Sequence, residues 1–119
     1  MYDPNKDFFI NQTSDIKTTP VRLHVTQLAL FAHGVFAGAT IRLEVSPDEY
    51  NPNLEGFDPD TQMEWFDHPN GLYTDAANDE VHFWNNADLG TFWIRAVLEN
   101  STANTSLSFR SRARLAVEH

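Results

Sequence analysis

Thr40-Ile41-Arg42-Leu43-Glu44-Val45-Ser46, followed at once by Pro47-Asp48, is the stretch that decides the fold class. Apolar and polar residues alternate strictly, the pattern of a pleated strand with one face on a core. Ile41, Leu43 and Val45 are expected to face inward, with Arg42 and Glu44 outward. Pro47 has no amide to donate and ends the strand. Upstream, His33-Gly34-Val35-Phe36-Ala37-Gly38 supplies two glycines, a turn or bulge. Before that, Leu28-Ala29-Leu30-Phe31 is nearly all apolar, a deeply buried or bent strand. Val21, Leu23 and Val25 alternate with Arg22, His24 and Thr26, which reads as a half-buried strand.

Downstream the same grammar repeats. Residues 62–66 read as a short strand with Met63 and Trp65 inward, and Pro69-Asn70-Gly71 reads as a turn. An acidic connection covers 72–80, strands cover 80–84 and 91–98, and 100–105 is a polar hairpin loop into a last strand over 107–117. No window shows apolar residues at helical spacing. The expectation is an all-β chain, an antiparallel β-sandwich of jelly-roll or immunoglobulin-like type, with a small barrel as the other closure. The sandwich occupies residues 20–119, after an extended N-terminal arm over 1–19. That arm is polar except for Phe8-Phe9-Ile10. Its plainer reading is a loose terminus. Its sharper one is an anchor in which the aromatic cluster packs on the domain or on a neighbour, since exposed paired Phe is costly in water.

At 119 residues the chain is the size of one domain. Its formal charge of −9 argues against nucleic acid as a partner, because phosphate binding needs a broad basic surface. It has no cysteine, hence neither disulfides nor a thiolate metal site. No run is long and apolar enough to span a membrane, and the first residues lack signal-peptide features, so synthesis in the cytoplasm is expected. The sequons Asn11-Gln12-Thr13, Asn100-Ser101-Thr102 and Asn104-Thr105-Ser106 are read as polar loops.

Charge is segregated along the chain. From Leu43 to Ile94 there is no Lys or Arg but twelve Asp and Glu. The last strand then places Arg110, Arg112 and Arg114 at every second position, one cationic row, with Leu107, Phe109, Leu115 and Val117 on its other face. Such a row can solubilise a sheet, guard an edge or pair with Glu44 or another acid of the same chain. It can equally contact a neighbouring subunit, where the planar guanidinium makes fixed, bidentate contacts. Arg110, Arg112, Arg114, Phe8, Phe9 and Ile10 are therefore the candidate interface residues.

Chemistry finds less support. His24, His33, His68, His82 and His119 share no motif spacing, and no nucleophile elbow, zinc motif or phosphate loop is present. No catalytic residue, metal or cofactor is expected. Asp58-Pro59-Asp60 with Gln62 and Glu64 has alternating oxygen ligands of the kind calcium prefers, but Met63 stands where an EF-hand needs Gly. Trp65, Trp84, Trp93 and Tyr73 could stack on sugar rings, although aromatics in alternating strands mostly fill cores. In Phe83-Trp84 and Phe92-Trp93 one ring of each pair is expected to face outward.

Ala39 to Asp48, Gly90-Thr91-Phe92-Trp93-Ile94-Arg95-Ala96-Val97-Leu98 and Thr105-Ser106-Leu107-Ser108 together resemble small all-β virion proteins of tailed bacteriophages. The resemblance spans residues 39–110 and rests on strand-and-turn grammar. The long acidic 47–61 loop and the N-terminal arm fall outside its pattern. It implies a non-enzymatic virion structural protein, made in the host cytoplasm. Most directly it implies a capsid decoration or cement protein that oligomerises, with a trimer among the expected forms, and binds the major capsid protein. Many copies would turn a modest contact into firm attachment. The alternative is a tail-associated β-sandwich module that binds host glycan.

Overall fold

The computed structural model describes residues 6–22, 25–74, 79–85 and 92–115. Among these residues eight strands and one short helix follow in the order β1 (Lys6–Gln12), β2 (Ile16–Lys17), β3 (Val25–Val35), β4 (Thr40–Ser46), α1 (Pro59–Gln62), β5 (Phe66–Tyr73), β6 (Asp79–Asn85), β7 (Trp93–Glu99) and β8 (Ser106–Leu115). They form two antiparallel sheets, β1-β8-β3-β6 and β2-β7-β4-β5. The first strand pairs with the eighth, the second with the seventh, the third with the sixth and the fourth with the fifth. This is one long hairpin rolled so that successive pairs fall on opposite sheets, the winding of a jelly roll. The chain is an all-β sandwich.

Alternation puts the core between the sheets. Leu30 and Ala32 of β3, Ile41 and Leu43 of β4, Ile94, Ala96 and Leu98 of β7, and Leu107 and Phe109 of β8 are buried there. Phe109 is the hub. Its ring centroid lies 5.4 Å from Phe8, 5.9 Å from Phe9 and 4.9 Å from Tyr73, the last edge-on.

The segment expected as an arm supplies β1 and β2 from Lys6 onward, one to the margin of each sheet. Phe8 and Phe9 anchor it on the chain's own core, and only Ile10 of that cluster is exposed. Residues 1–5 lie outside the described residues. Two neighbouring Phe are both buried because the register of β1 shifts between Asp7 and Phe9, which breaks simple alternation.

Three local expectations are corrected. Val21 forms a lone bridge to Ile94 in the second sheet while Val25 belongs to β3 of the first, so the two do not share a sheet; Leu23 and His24 between them lie outside the described residues. Residues 62–65 are not a strand, and only Phe66 belongs to one, β5: Asp58 caps α1 by accepting from the Asp60 amide at 3.0 Å, with Pro59 at the first turn. Gln62 accepts in return from the Asp58 amide at 2.6 Å. Pro69-Asn70-Gly71 is not a turn but lies within β5. Arg42 faces Leu72 and Glu44 faces Asp67, so four residues of β5, 68–71, bulge opposite Leu43 alone. An edge strand tolerates Pro at such a bulge. Gly71 is needed there, because a Cβ would come within 2.8 Å of the Leu43 Cβ.

Candidate functional site: the outer face of the first sheet

On β8, Leu107, Phe109 and Ser111 point inward, which leaves Ser108, Arg110 and Arg112 on the outer face. The register carries one outer row across all four strands: Asp7 of β1, Arg110 of β8, Phe31 of β3 and Val81 of β6. The neighbouring rows place Ser108 beside His33 and Arg112 beside Ala29. Arg114 continues the row by register, with its backbone opposite Gln27, but its side chain lies outside the described residues.

Two features mark this face. The first is apolar exposure, which it shares with Leu54, Phe66 and Leu72 elsewhere: Ile10, Val35 and Val81 remain 44%, 46% and 42% exposed. The second is incomplete charge pairing. Arg112 Nη1 donates to Asp7 Oδ1 at 3.1 Å, while Arg110 Nε lies 3.7 Å from that same oxygen, beyond hydrogen-bond range. Two guanidiniums thus share one carboxylate. Their side chains stay 48% and 44% exposed for Arg110 and Arg112, and Arg112 Nη1 also donates to the Ser111 carbonyl at 2.6 Å. Ile10, Asn11, Phe31, His33 and Ser108 join both Arg around a shallow depression of about 590 Å³. The Asn11 amide donates to Ser108 Oγ at 3.0 Å and holds that rim. Apolar side chains flanked by partly free guanidiniums are the composition of a contact surface, where Arg and large apolar groups are enriched.

On the outer face of the second sheet β7 is covered, while Leu72 at the β5 margin stays exposed. Arg95 of β7 is only 4% exposed, and its Nε donates to Glu44 Oε1 at 2.8 Å. Arg95 also pairs with Asp60 of α1 and lies with its Cζ 4.2 Å from the centroid of the Trp65 ring. The connection from β4 to β5, acidic in sequence, folds over this strand as a strap. Its end is tied by the Glu64 amide to Asp48 Oδ2 at 2.7 Å and by Trp65 Nε1–H to the Pro59 carbonyl at 2.9 Å. Met63 is buried beneath it. Arg42 grips Glu99 with two donors, at 2.8 Å and 3.2 Å, reaches Glu44 at 3.0 Å and pairs with Asp67. The hydrogen bond to Glu99 first of all keeps the Arg42 guanidinium charged well above its ordinary range, and holds the Glu99 carboxyl below its own.

Arg42 and Arg95 thus absorb the acids that sequence offered to the Arg row: Glu44 pairs with them and not with β8. Their roles carried a weak signal, since Arg42 to Glu44 and Ile94 to Ala96 look like plain alternation. Asp58, Asp60 and Gln62, whose spacing suggested cation ligands, are occupied by the cap and by Arg95. Among the described residues no three His, Asp or Glu side chains converge as a metal site, and no helix is long and apolar enough to cross a membrane. Trp93 sits at the strap's other end. Its ring meets Tyr50 edge-on at 5.2 Å and Arg22 at 5.5 Å, and its Nε1–H donates to Glu49 at 3.3 Å. Phe92 beside it is exposed, and the side chains of Phe83 and Trp84 lie outside the described residues.

Comparison with protein-family models, with curated proteins and with solved structures finds no match to any of them.

Proposed function

We propose that this chain is a non-enzymatic structural protein of a virus particle, a capsid decoration protein that self-associates and docks through the outer face of β1-β8-β3-β6. The observation that carries this reading is the pairing of exposed apolar residues with two guanidiniums that share the single carboxylate of Asp7. On a chain of net charge −9 this patch is the place where an acidic neighbour meets positive charge. The jelly-roll winding agrees with the reading, as it is used both in viral shells and in lectins. The glycan-binding alternative draws on the second of these uses, but Trp93 is already engaged by Tyr50 and Arg22.

The test is cosedimentation with phage heads of the wild-type protein and of an Arg110→Glu, Arg112→Glu, Arg114→Glu triple variant. The wild type should pellet with heads, and the variant should stay in the supernatant with an unchanged far-ultraviolet circular dichroism spectrum. Each Arg→Glu exchange replaces attraction by repulsion, so affinity should fall by at least about tenfold per residue buried in the contact. Raised salt should weaken the wild-type contact in the same direction. Equal pelleting of both proteins would reduce the Arg row to a solvated face. Binding to a glycan array, with no affinity for heads, would transfer the assignment to the alternative.

A further inference from the structure

Four strands form the margins of the two sheets: β1 and β6 in the first, β2 and β5 in the second. A free margin presents a row of unpaired amides and carbonyls, and folded proteins usually disable it. Three of the four are disabled here, each by a different device. β1 breaks register twice against β8, and Asn11 within it sits at a φ of 49°. β2 is two residues long. β5 carries Pro69 and the 68–71 bulge. β6 has none of these. Its seven residues pair with β3 from Gln27↔Asn85 to His33↔Asp79 without a break, and they include no Pro, Gly or Lys. Among the described residues no strand lies beyond it. The segment Asp79-Glu80-Val81-His82-Phe83-Trp84-Asn85 is also rich in the β-branched and aromatic types that favour pairing.

We infer that β6 is the pairing edge for a second copy of this chain, β6 against β6 antiparallel about a two-fold axis, joining two four-stranded sheets into one. The strand is compatible with its own antiparallel copy, and the order of its charges selects that orientation. Antiparallel overlap of all seven residues sets His82 opposite His82, Val81 opposite Phe83, Glu80 opposite Trp84 and Asp79 opposite Asn85. Both acids then face neutral residues. A parallel copy would oppose acid to acid, which destabilises a cross-strand pair. The two-fold contact uses each edge once and closes, so it forms a dimer and not a fibre. It turns the outer faces of the two first sheets the same way, leaving both docking faces open. The inference rests on the strand margins and not on the docking proposal.

Because the chain has no cysteine, a single introduced thiol reports on one position. Opposed residues of an antiparallel pair have Cα atoms about 4.5–5.5 Å apart, within disulfide reach. His82→Cys should therefore form a covalent dimer under mild oxidation at least about tenfold faster than Thr61→Cys on α1, because the paired thiols meet at high effective concentration. Val81→Cys and Phe83→Cys, mixed, should link to one another in preference to themselves; this keeps the register testable if His82→Cys does not fold. The unmodified protein should sediment as a dimer, and so should the Arg110→Glu, Arg112→Glu protein, which separates this contact from the docking face. A monomer or a trimer in solution, or linkage of His82→Cys no faster than that of Thr61→Cys, would overturn the inference.

Discussion

At the residue scale, Arg95 shows how far alternation reaches and where it stops. Its position on β7 marks it as outward, and it is outward, yet it is among the most buried charged groups of the described chain. The strap lies over it. Burying a guanidinium is tolerable here because Glu44, Asp60 and the face of Trp65 replace the water it loses. Removing it strands Glu44 beneath the strap with only Arg42 for company. Arg95→Ala should cost about 3 kcal/mol in urea denaturation, the usual range for breaking a buried pair. Arg95→Lys should recover only part of that, since an ammonium lacks the planar group that meets Glu44 with Nε and Asp60 with Nη1 over the Trp65 ring. If Arg95→Ala were neutral, the strap would be held by Met63 and Trp65 packing and not by charge. The mostly apolar run of 91–98 reads as a strand but holds no sign of what covers it. The covering group comes from some thirty residues earlier, in a stretch with no periodic pattern.

At the element scale, the turn from β3 to β4 combines one forced residue with one misfit. Gly34 has a φ of +129°, and a Cβ there would sit 2.1 Å from the Ser106 carbonyl oxygen across the β3·β8 ladder. Gly34→Ala should therefore destabilise by on the order of 3 kcal/mol, by prising β3 from β8. Three residues on, the Ala39 amide donates to the Phe36 carbonyl at 2.9 Å, and the two central residues, Ala37 and Gly38, have φ of 50° and 92°. Two positive φ values in succession are the signature of a turn that prefers Asn-Gly. Ala37→Asn should raise stability by about 0.5–1 kcal/mol, by relieving a left-handed Ala. Opposite signs in one thermal-melt series would check both. The two glycines made this turn legible in sequence. By the same logic Pro69-Asn70-Gly71 looked like a turn, and it became a bulge because β5 lies at a margin, where Pro loses no ladder bond and Gly71 makes room for Leu43. Local chemistry names the irregularity; only the sheet order says which kind it is.

At the scale of the whole molecule, the termini of the described chain are bound to each other. β1 pairs with β8, and Phe8 and Phe9 both touch Phe109. This explains why residues 6–17 were hard to place from sequence. A lone apolar pair in a polar stretch has no period, and its partner lies about a hundred residues away. Phe9→Ala should cost about 3 kcal/mol, as other buried Phe truncations do, and urea denaturation would measure it. A loss within a few tenths of a kcal/mol would mean that β1 is held by its ladder alone. The charge pattern reads differently at this scale too. The acids of the strap stay exposed, and of these Asp60 also pairs with Arg95, so the loop is solvated on its outside while it covers β7. Among the described residues, Arg110 and Arg112 stay about half exposed and share the one carboxylate of Asp7.

The rolled pairing of first strand with last also has a consequence in time. A ribosome adding about 5–20 residues per second releases Phe9 several seconds or more before Phe109 exists to receive it. During that interval β1 carries two unsheltered aromatic rings, and no later strand before β8 can take its place. The innermost pair, β4 with β5, is the first that the emerging chain can close, and the partners of the outer pairs become available in turn. Of the eight strands β1 is made first and receives its partner last.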